Sequence, residues 1–135
     1  MNTQMFLNLP VKDLSKTIEF FVKLGFKFNP QFTDENAACM IVGEGSFVML
    51  LVEKFFKTFV SKKIADTKKT TELTVAIALE SRVAVDRMVE TALRAGATAS
   101  MEPSDQGFMY SKSFHDLDGH IREIFWMDPN HIWQT

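Results

Sequence analysis

This chain of 135 residues has little of several features that mark specialised proteins. It has one cysteine, Cys39, so it cannot form an internal disulfide and lacks the paired cysteines of a zinc motif. Its formal net charge of −2 leaves no basic excess for nucleic acid. No apolar run approaches the length of a membrane span, and the N-terminus lacks the basic start of a signal peptide. We therefore expect a cytoplasmic protein with neither nucleic acid nor a membrane as partner.

The chain does have the means to build a core without disulfides. Hydrophobic residues make up 46% of it, and 13 phenylalanines and 8 methionines dominate its large apolar side chains. Such side chains suit an adaptable binding pocket, and they equally suit an ordinary core. The apolar stretch 37–42 surrounds Cys39, which predicts a buried, unreactive thiol.

The first half of the chain predicts a strand, a helix and three further strands. Asp13 is a candidate N-cap, and Gly25 ends the helix because glycine readily adopts the left-handed conformation required there. The predicted apolar stripe of this helix comprises Leu14, Ile18, Phe21 and Val22. The predicted strands are Met5–Val11, Phe26–Phe32, Ala37–Val42 and Phe47–Glu53.

The second half repeats this order around a helix that Gly96 closes. One constant shift carries Gly25 onto Gly96 and every stripe residue of the first helix onto an apolar residue of the second. These counterparts are Val85, Val89, Ala92 and Leu93. The predicted strands are Glu72–Leu79, Ala97–Met101, Phe108–His115 and His120–Met127.

We interpret this repetition as an internal duplication of a βαβββ module. The modules cover about 3–53 and 72–127, and a linker at 54–71 is expected to contain a helical turn around Phe55 and Phe59. The whole chain then forms a single domain. The predicted fold class is α+β, with mixed sheets in both modules.

The stretch 116–126 carries the most distinctive motif. Asp116-Leu117-Asp118-Gly119 predicts a tight turn, and the apolar residues after it predict a strand. Glu123 places a carboxylate inside that strand, which costs free energy unless the charge is paired, binds a cation or faces water. Glu123 is therefore either part of a site or a structural residue at the rim.

The paired modules, the segment Val11-Lys12-Asp13-Leu14, the helix end Leu24-Gly25-Phe26 and the final Asp-x-Asp-Gly-x-x-x-Glu together resemble the vicinal oxygen chelate superfamily. That superfamily includes glyoxalase I, bleomycin and fosfomycin resistance proteins and extradiol dioxygenases. The resemblance covers nearly the whole chain. It implies that the sheets of the two modules curl around a shared cavity and that the chain forms a homodimer.

In metal-using members of the superfamily, residues on the first and last strands of each module bind a divalent ion. Glu123 matches the carboxylate ligand of the last strand. The other ligand places fall on Phe6, on Met49 and on Thr74 or Val75, none of which is a good ligand for a hard divalent ion. We therefore expect no cofactor, since a divalent metal is not supported at these positions.

Two histidines flank the Asp-Gly turn and offer an alternative source of ligands. His115 and His120 could join Glu123 in a metal site, although an ideal strand places His120 and Glu123 on opposite faces. The favoured interpretation is that His120 is solvated and that His115 pairs locally with Asp116 or Asp118.

The resemblance and the strand pattern together select the candidate site residues. If Glu123 is buried beside Ile121 and Phe125, it is a candidate catalytic acid or base. The structural alternative pairs Glu123 with a linker lysine or with Arg122 of another chain. The candidate substrate-binding residues are Phe6, Asn8, Met49, Tyr110 and Phe125. Tyr110 could orient a polar ligand group through its hydroxyl, or its ring could simply pack.

Two functions from different classes stay open. The first is a protein that binds a small aromatic or oxygenated compound without metal, as the bleomycin resistance proteins do. The second is a lyase or isomerase of the glyoxalase type that depends on a metal and has Glu123 in its site. The residues at the ligand places favour the binding protein.

Overall fold

The computed structural model describes residues 3–131, which divide into two compact units with the boundary between Ala65 and Asp66. The first unit contains β1 (Met5–Val11), α1 (Leu14–Lys23), β2 (Lys27–Asn29), β3 (Ala37–Gly43), β4 (Ser46–Val52) and α2 (Glu53–Phe56). The second contains β5 (Thr74–Ala78), α3 (Arg82–Arg94), β6 (Thr98–Ala99), β7 (Ser104–Asp105), β8 (Met109–His115) and β9 (Ile121–Met127). The predicted α+β class with mixed sheets is confirmed.

Both units pair their strands in the same way. In the first, the order is β1-β4-β3-β2, with β1 parallel to β4 and the other pairs antiparallel. In the second, the order is β5-β9-β8-β6, with β5 parallel to β9 and β7 also paired to β8. The last strand of each unit therefore lies between the first strand and the strand before it, as expected for a duplicated module.

Helix α1 begins where the sequence predicts, because the Asp13 side chain accepts a hydrogen bond from the backbone N–H of Lys16 at 3.1 Å. Its buried residues are Leu14, Thr17, Phe20 and Phe21. The prediction that Val22 belongs to the buried stripe is wrong, since its side chain is 54% exposed, and its counterpart Leu93 is also exposed. The predicted stripe did not include Thr17, because only apolar residues were considered. The Thr17 hydroxyl donates a hydrogen bond to the carbonyl of Asp13, which allows this side chain to be buried.

The strand predicted at Phe26–Phe32 is shorter in the structure, where it ends at Asn29. A 3-10 helix, Pro30–Phe32, follows it. The Asn29 side chain accepts a hydrogen bond from the N–H of Gln31, and Pro30 has no N–H to donate to a neighbouring strand. The predicted helical turn after β4 is present as α2 and the 3-10 helix Lys57–Phe59. None of the helices within 3–131 combines the length and the apolar character needed to cross a bilayer.

Candidate functional site

The motif at 116–120 forms a tight turn organised by one carboxylate. Oδ1 of Asp116 accepts hydrogen bonds from the backbone N–H groups of Asp118 and His120, both at 3.0 Å. Gly119 adopts a φ of +85°, which suits a residue without a Cβ. The Thr67 hydroxyl donates to the carbonyl of Asp118. The motif therefore fixes the path of the chain into β9.

Arg122 completes this structural arrangement. Its Nε lies 3.0 Å from Oδ2 of Asp116, and the side chains are 1% and 4% exposed. Burial lowers the pKa of Arg122, while the nearby Asp116 opposes that shift. Because Arg122 is enclosed within its own unit, the suggestion that Glu123 pairs with Arg122 of another chain is wrong.

Glu123 lies on the opposite face of β9 from Arg122 and Ile124. Its direct neighbours across the sheet are Ala76 of β5 and Ser113 of β8. Glu123 is exposed, so the expectation that it is buried beside Ile121 and Phe125 is wrong. Strand alternation does place these three side chains on one face. However, that face is not covered at Glu123. Among residues 3–131 no ion pair to Glu123 is formed, which removes the linker-lysine alternative there.

The face that bears Glu123 also carries small hydroxyl and apolar side chains. Ser111 lies opposite Phe125, and His115 lies opposite Ile121. Ser113 Oγ accepts a hydrogen bond from the N–H of Met101, a residue that is itself 78% exposed. We call this surface the Glu123 face. Its strand residues are Thr74, Ala76, Ala78, Thr98, Ser104, Met109, Ser111, Ser113, His115, Ile121, Glu123, Phe125 and Met127.

The two histidines beside the turn have different environments. His115 is on the Glu123 face, on the diagonal from Glu123. His120 is buried, so the interpretation that it is solvated is wrong. The backbone N–H of His120 donates to Asp116 and its carbonyl accepts from the N–H of Asp116, which draws it into the turn.

Tyr110 does not share a face with Glu123. It lies opposite Trp126 in the β8–β9 ladder, on the side where α3 packs. Its hydroxyl donates to Oδ1 of Asp86 at 2.6 Å, and the same oxygen lies 2.7 Å from Nζ of Lys112. Hydrogen bonds from Lys112 and Tyr110 lower the pKa of Asp86, and the bond to Asp86 raises the pKa of Tyr110. Tyr110 therefore does not share a strand face with Phe125, and its role in binding a substrate stays a prediction.

The first unit presents an aromatic counterpart on its own sheet. Phe6 and Phe47, paired across β1 and β4, stack with ring centroids 4.8 Å apart and an interplanar angle of 16°. Asn8 lies opposite Met49 one pleat further along. Phe6 is 46% exposed, Asn8 is exposed and Met49 is partly buried. We call the surface formed by these four residues the Phe6 face.

Cys39 lies across the ladder from Met49 and is fully buried. Its burial raises the pKa of the thiol, so the thiolate is disfavoured and the residue is a packing element. The predicted burial of this thiol is confirmed, and its low reactivity stays a prediction.

The residues of these surfaces that were not among the sequence-based candidates include Phe47 and Ser113, and Met101 donates its backbone N–H to Ser113. Strand alternation from Met49 places Phe47 on the same face, so that residue could have been found. Ser113 required the β8–β9 register, which depends on the length of the turn. No sequence pattern indicated the contact of Met101, because this residue lies in an irregular segment between β6 and β7.

The donor atoms around Glu123 do not suit a metal centre. Glu123 and His115 supply two strong ligands on this face, whereas catalytic zinc sites use three protein ligands. Residues 3–131 contain no group of three or more His, Cys, Asp or Glu side chains arranged to hold a metal ion. At the equivalent place in the first unit, Met49 lies between Asn8 and Cys39.

Comparisons with known proteins agree with this architecture. A family model described as bleomycin resistance protein-like N-terminal matches residues 3–43. No curated protein sequence matches the chain.

Three solved structures illustrate the similarity. A hypothetical protein from S. aureus is 27% identical, with a TM-score of 0.79 over 93% of this chain and 95% of that one. A glyoxalase/bleomycin resistance protein/dioxygenase family enzyme from Burkholderia phytofirmans is 16% identical, with a TM-score of 0.74 over 90% and 96%. A fosfomycin resistance protein from Mesorhizobium loti is 15% identical, with a TM-score of 0.67 over 93% and 92%.

Proposed function

We propose that this protein is a member of the vicinal oxygen chelate superfamily and binds a small aromatic or oxygenated molecule through the open faces of its sheets; the fold and the matching N-terminal family model support this. The observation that carries the proposal is the Phe6–Phe47 stack. A homodimer in the cytoplasm belongs to the same proposal.

The Phe6 face has the composition of a site for a planar, largely apolar ligand. Large apolar side chains on a sheet are normally covered, yet Phe6 leaves 46% of its surface exposed beside an already stacked partner. A planar ligand could extend that stack, and aromatic pairs contribute about 0.5–1.5 kcal/mol beyond the burial of their area. The thioether of Met49 adapts to the shape of a ligand, and Asn8 offers one amide for orientation.

A metal-dependent lyase or isomerase of the glyoxalase type is the alternative, and the donor set does not favour it. Glu123 has Ala76 and Ser113 as its direct neighbours, and with His115 on the diagonal the strand residues of this face supply two strong ligands where a catalytic zinc site uses three. We derive no reaction step through a metal at this position.

The test is calorimetric titration of the protein with the neutral compound 1-naphthylmethanol. We expect saturable binding in the wild type and an affinity lower by about fivefold or more in Phe6→Ser, because one stacked aromatic contact is lost. The matched control is Phe32→Ser, since Phe32 is 52% exposed in the same unit but lies in the 3-10 helix after β2.

The two variants decide between a specific and an unspecific interaction. Equal loss in Phe6→Ser and Phe32→Ser would show unspecific adsorption to exposed rings. Unchanged affinity in a folded Phe6→Ser variant would place the aromatic ligand elsewhere.

A further inference from the structure

The Glu123 face has one formal charge. Among its strand residues in β5–β9, all of which the structure describes, Glu123 is the one Asp, Glu, Lys or Arg. The carboxylate is exposed, with Ala76 and Ser113 directly across the sheet. A single negative charge on an otherwise uncharged surface creates a local potential that attracts cations.

The cationic side chains of β8 and β9 form ion pairs on the opposite face of the sheet. Lys112 lies 2.7 Å from Asp86, and Nε of the enclosed Arg122 lies 3.0 Å from Asp116. Arg82, at the start of α3, forms two hydrogen bonds to the carboxylate of Asp105 at 2.6 and 3.0 Å. Each of these cations therefore already has a carboxylate partner, and alternation points Lys112 and Arg122 away from Glu123.

The surroundings of Glu123 suit a ligand with an apolar body. Phe125 follows two residues along the same strand, so its ring lies about 7 Å further along the face. Ile121 flanks Glu123 on the other side, and Ala76 and Ala78 leave room above the adjacent strand. Ser111 and Ser113 add hydroxyl groups that can accept hydrogen bonds from an ammonium group.

Building on the binding function proposed above, we infer that the Glu123 face selects a small organic cation, an amine attached to an aromatic or apolar body. The ammonium group pairs with the carboxylate of Glu123, and the body of the ligand covers Phe125 and Ala78. A cation near the face of Phe125 gains further attraction from the ring. A carboxylate ligand of the same shape is repelled.

The experiment compares three ligands that share one ring: 1-naphthylmethylamine, 1-naphthylmethanol and 1-naphthoic acid. Titrations are run at pH 8, above the range in which imidazole side chains usually titrate, and in low salt. For the wild type we expect the amine to bind about fivefold more tightly than the alcohol, and the acid more weakly than both, since an exposed ion pair contributes modestly. This preference should shrink in 0.5 M salt, where charges are screened.

The variant Glu123→Gln keeps the shape of the side chain and removes its charge. We expect it to bind the amine and the alcohol equally, with its affinity for the alcohol unchanged. Glu90→Gln is the matched control, because Glu90 is an exposed carboxylate on α3, and it should keep the wild-type preference.

The outcomes separate this inference from the function on which it rests. Equal affinity of the wild type for the amine and the alcohol would overturn cation selection and leave the binding function standing. A preference for the amine that persists in Glu123→Gln would overturn the assignment to Glu123. Failure of all three compounds to bind at millimolar concentration would overturn both proposals.

Discussion

Replacing Asp116 with alanine should destabilise the second unit more than any exposed substitution. The carboxylate accepts hydrogen bonds from two backbone N–H groups of the turn and pairs with Arg122. Truncation leaves the guanidinium of Arg122 in its buried position without that carboxylate. Removing one partner of a buried ion pair costs about 3–5 kcal/mol. This is a large share of the roughly 5–15 kcal/mol by which natural domains are stable.

The assay is urea denaturation followed by circular dichroism. For a slope of about 1–3 kcal/mol per molar urea, the loss moves the midpoint down by about 2 M. Asp105→Ala is the control, because it removes the carboxylate of an ion pair in the same unit whose Asp105 side chain is 52% exposed, and it should change the midpoint little. If the midpoints of the two variants coincide, the Asp116–Arg122 pair does not have the structural role inferred here.

Three further outcomes follow from the packing. Gly119→Ala should lower the free energy of unfolding by about 1 kcal/mol or more in a urea melt, because φ is +85° and the added Cβ would lie 2.7 Å from the hydroxyl oxygen of Thr67. Gly43→Ala should lower it little, because the space around an added Cβ is open there. Cys39 should resist thiol-labelling reagents in the native protein and react after unfolding in guanidinium, and fast native labelling would contradict its burial. Phe21→Ala should lower the free energy of unfolding measured in urea by about 3–5 kcal/mol, because Phe21 is buried, and Val22→Ala should lower it much less, because Val22 is exposed.

The fold could be predicted from the sequence because the same order of strands and helix occurs twice in the chain. The helix-ending glycines Gly25 and Gly96 and the alternation in Met5–Val11 define elements that the structure contains at or near the predicted bounds. The prediction failed where local chemistry interrupted a pattern. Pro30 ended β2 early, and Thr17 replaced Val22 in the core of α1. Apolar spacing alone shows neither that a proline lacks the N–H of a strand residue nor that a buried hydroxyl has a hydrogen-bond acceptor.

The candidate site could be predicted only in part, for a related reason. Alternation correctly places Ile121, Glu123 and Phe125 on one face, because a strand has a period of two. It does not show whether that face is covered, and Glu123 proved to be exposed. The position of Tyr110 depends on the β8–β9 register, which the length of the turn after β8 sets, so its face could not be assigned from β8 alone.

The ion pair between Asp116 and Arg122 could not be predicted from the sequence either. Asp116 and Arg122 are six residues apart, on either side of a turn whose geometry brings them together. An arginine within an apolar strand suggests an exposed residue, because burial of an unpaired charge is costly. Its partner becomes evident only once the turn folds.

The central claim is that the Glu123 face is a surface for ligands, and steric obstruction tests it most directly. Ala76 is exposed and lies directly across the sheet from Glu123, so Ala76→Phe should fill the space beside the carboxylate. Val83→Phe is the control, because Val83 is 57% exposed on α3. Calorimetric titration should show the roughly fivefold preference for 1-naphthylmethylamine over 1-naphthylmethanol lost in Ala76→Phe and kept in Val83→Phe. A wild-type preference for the amine in a folded Ala76→Phe variant would contradict the claim.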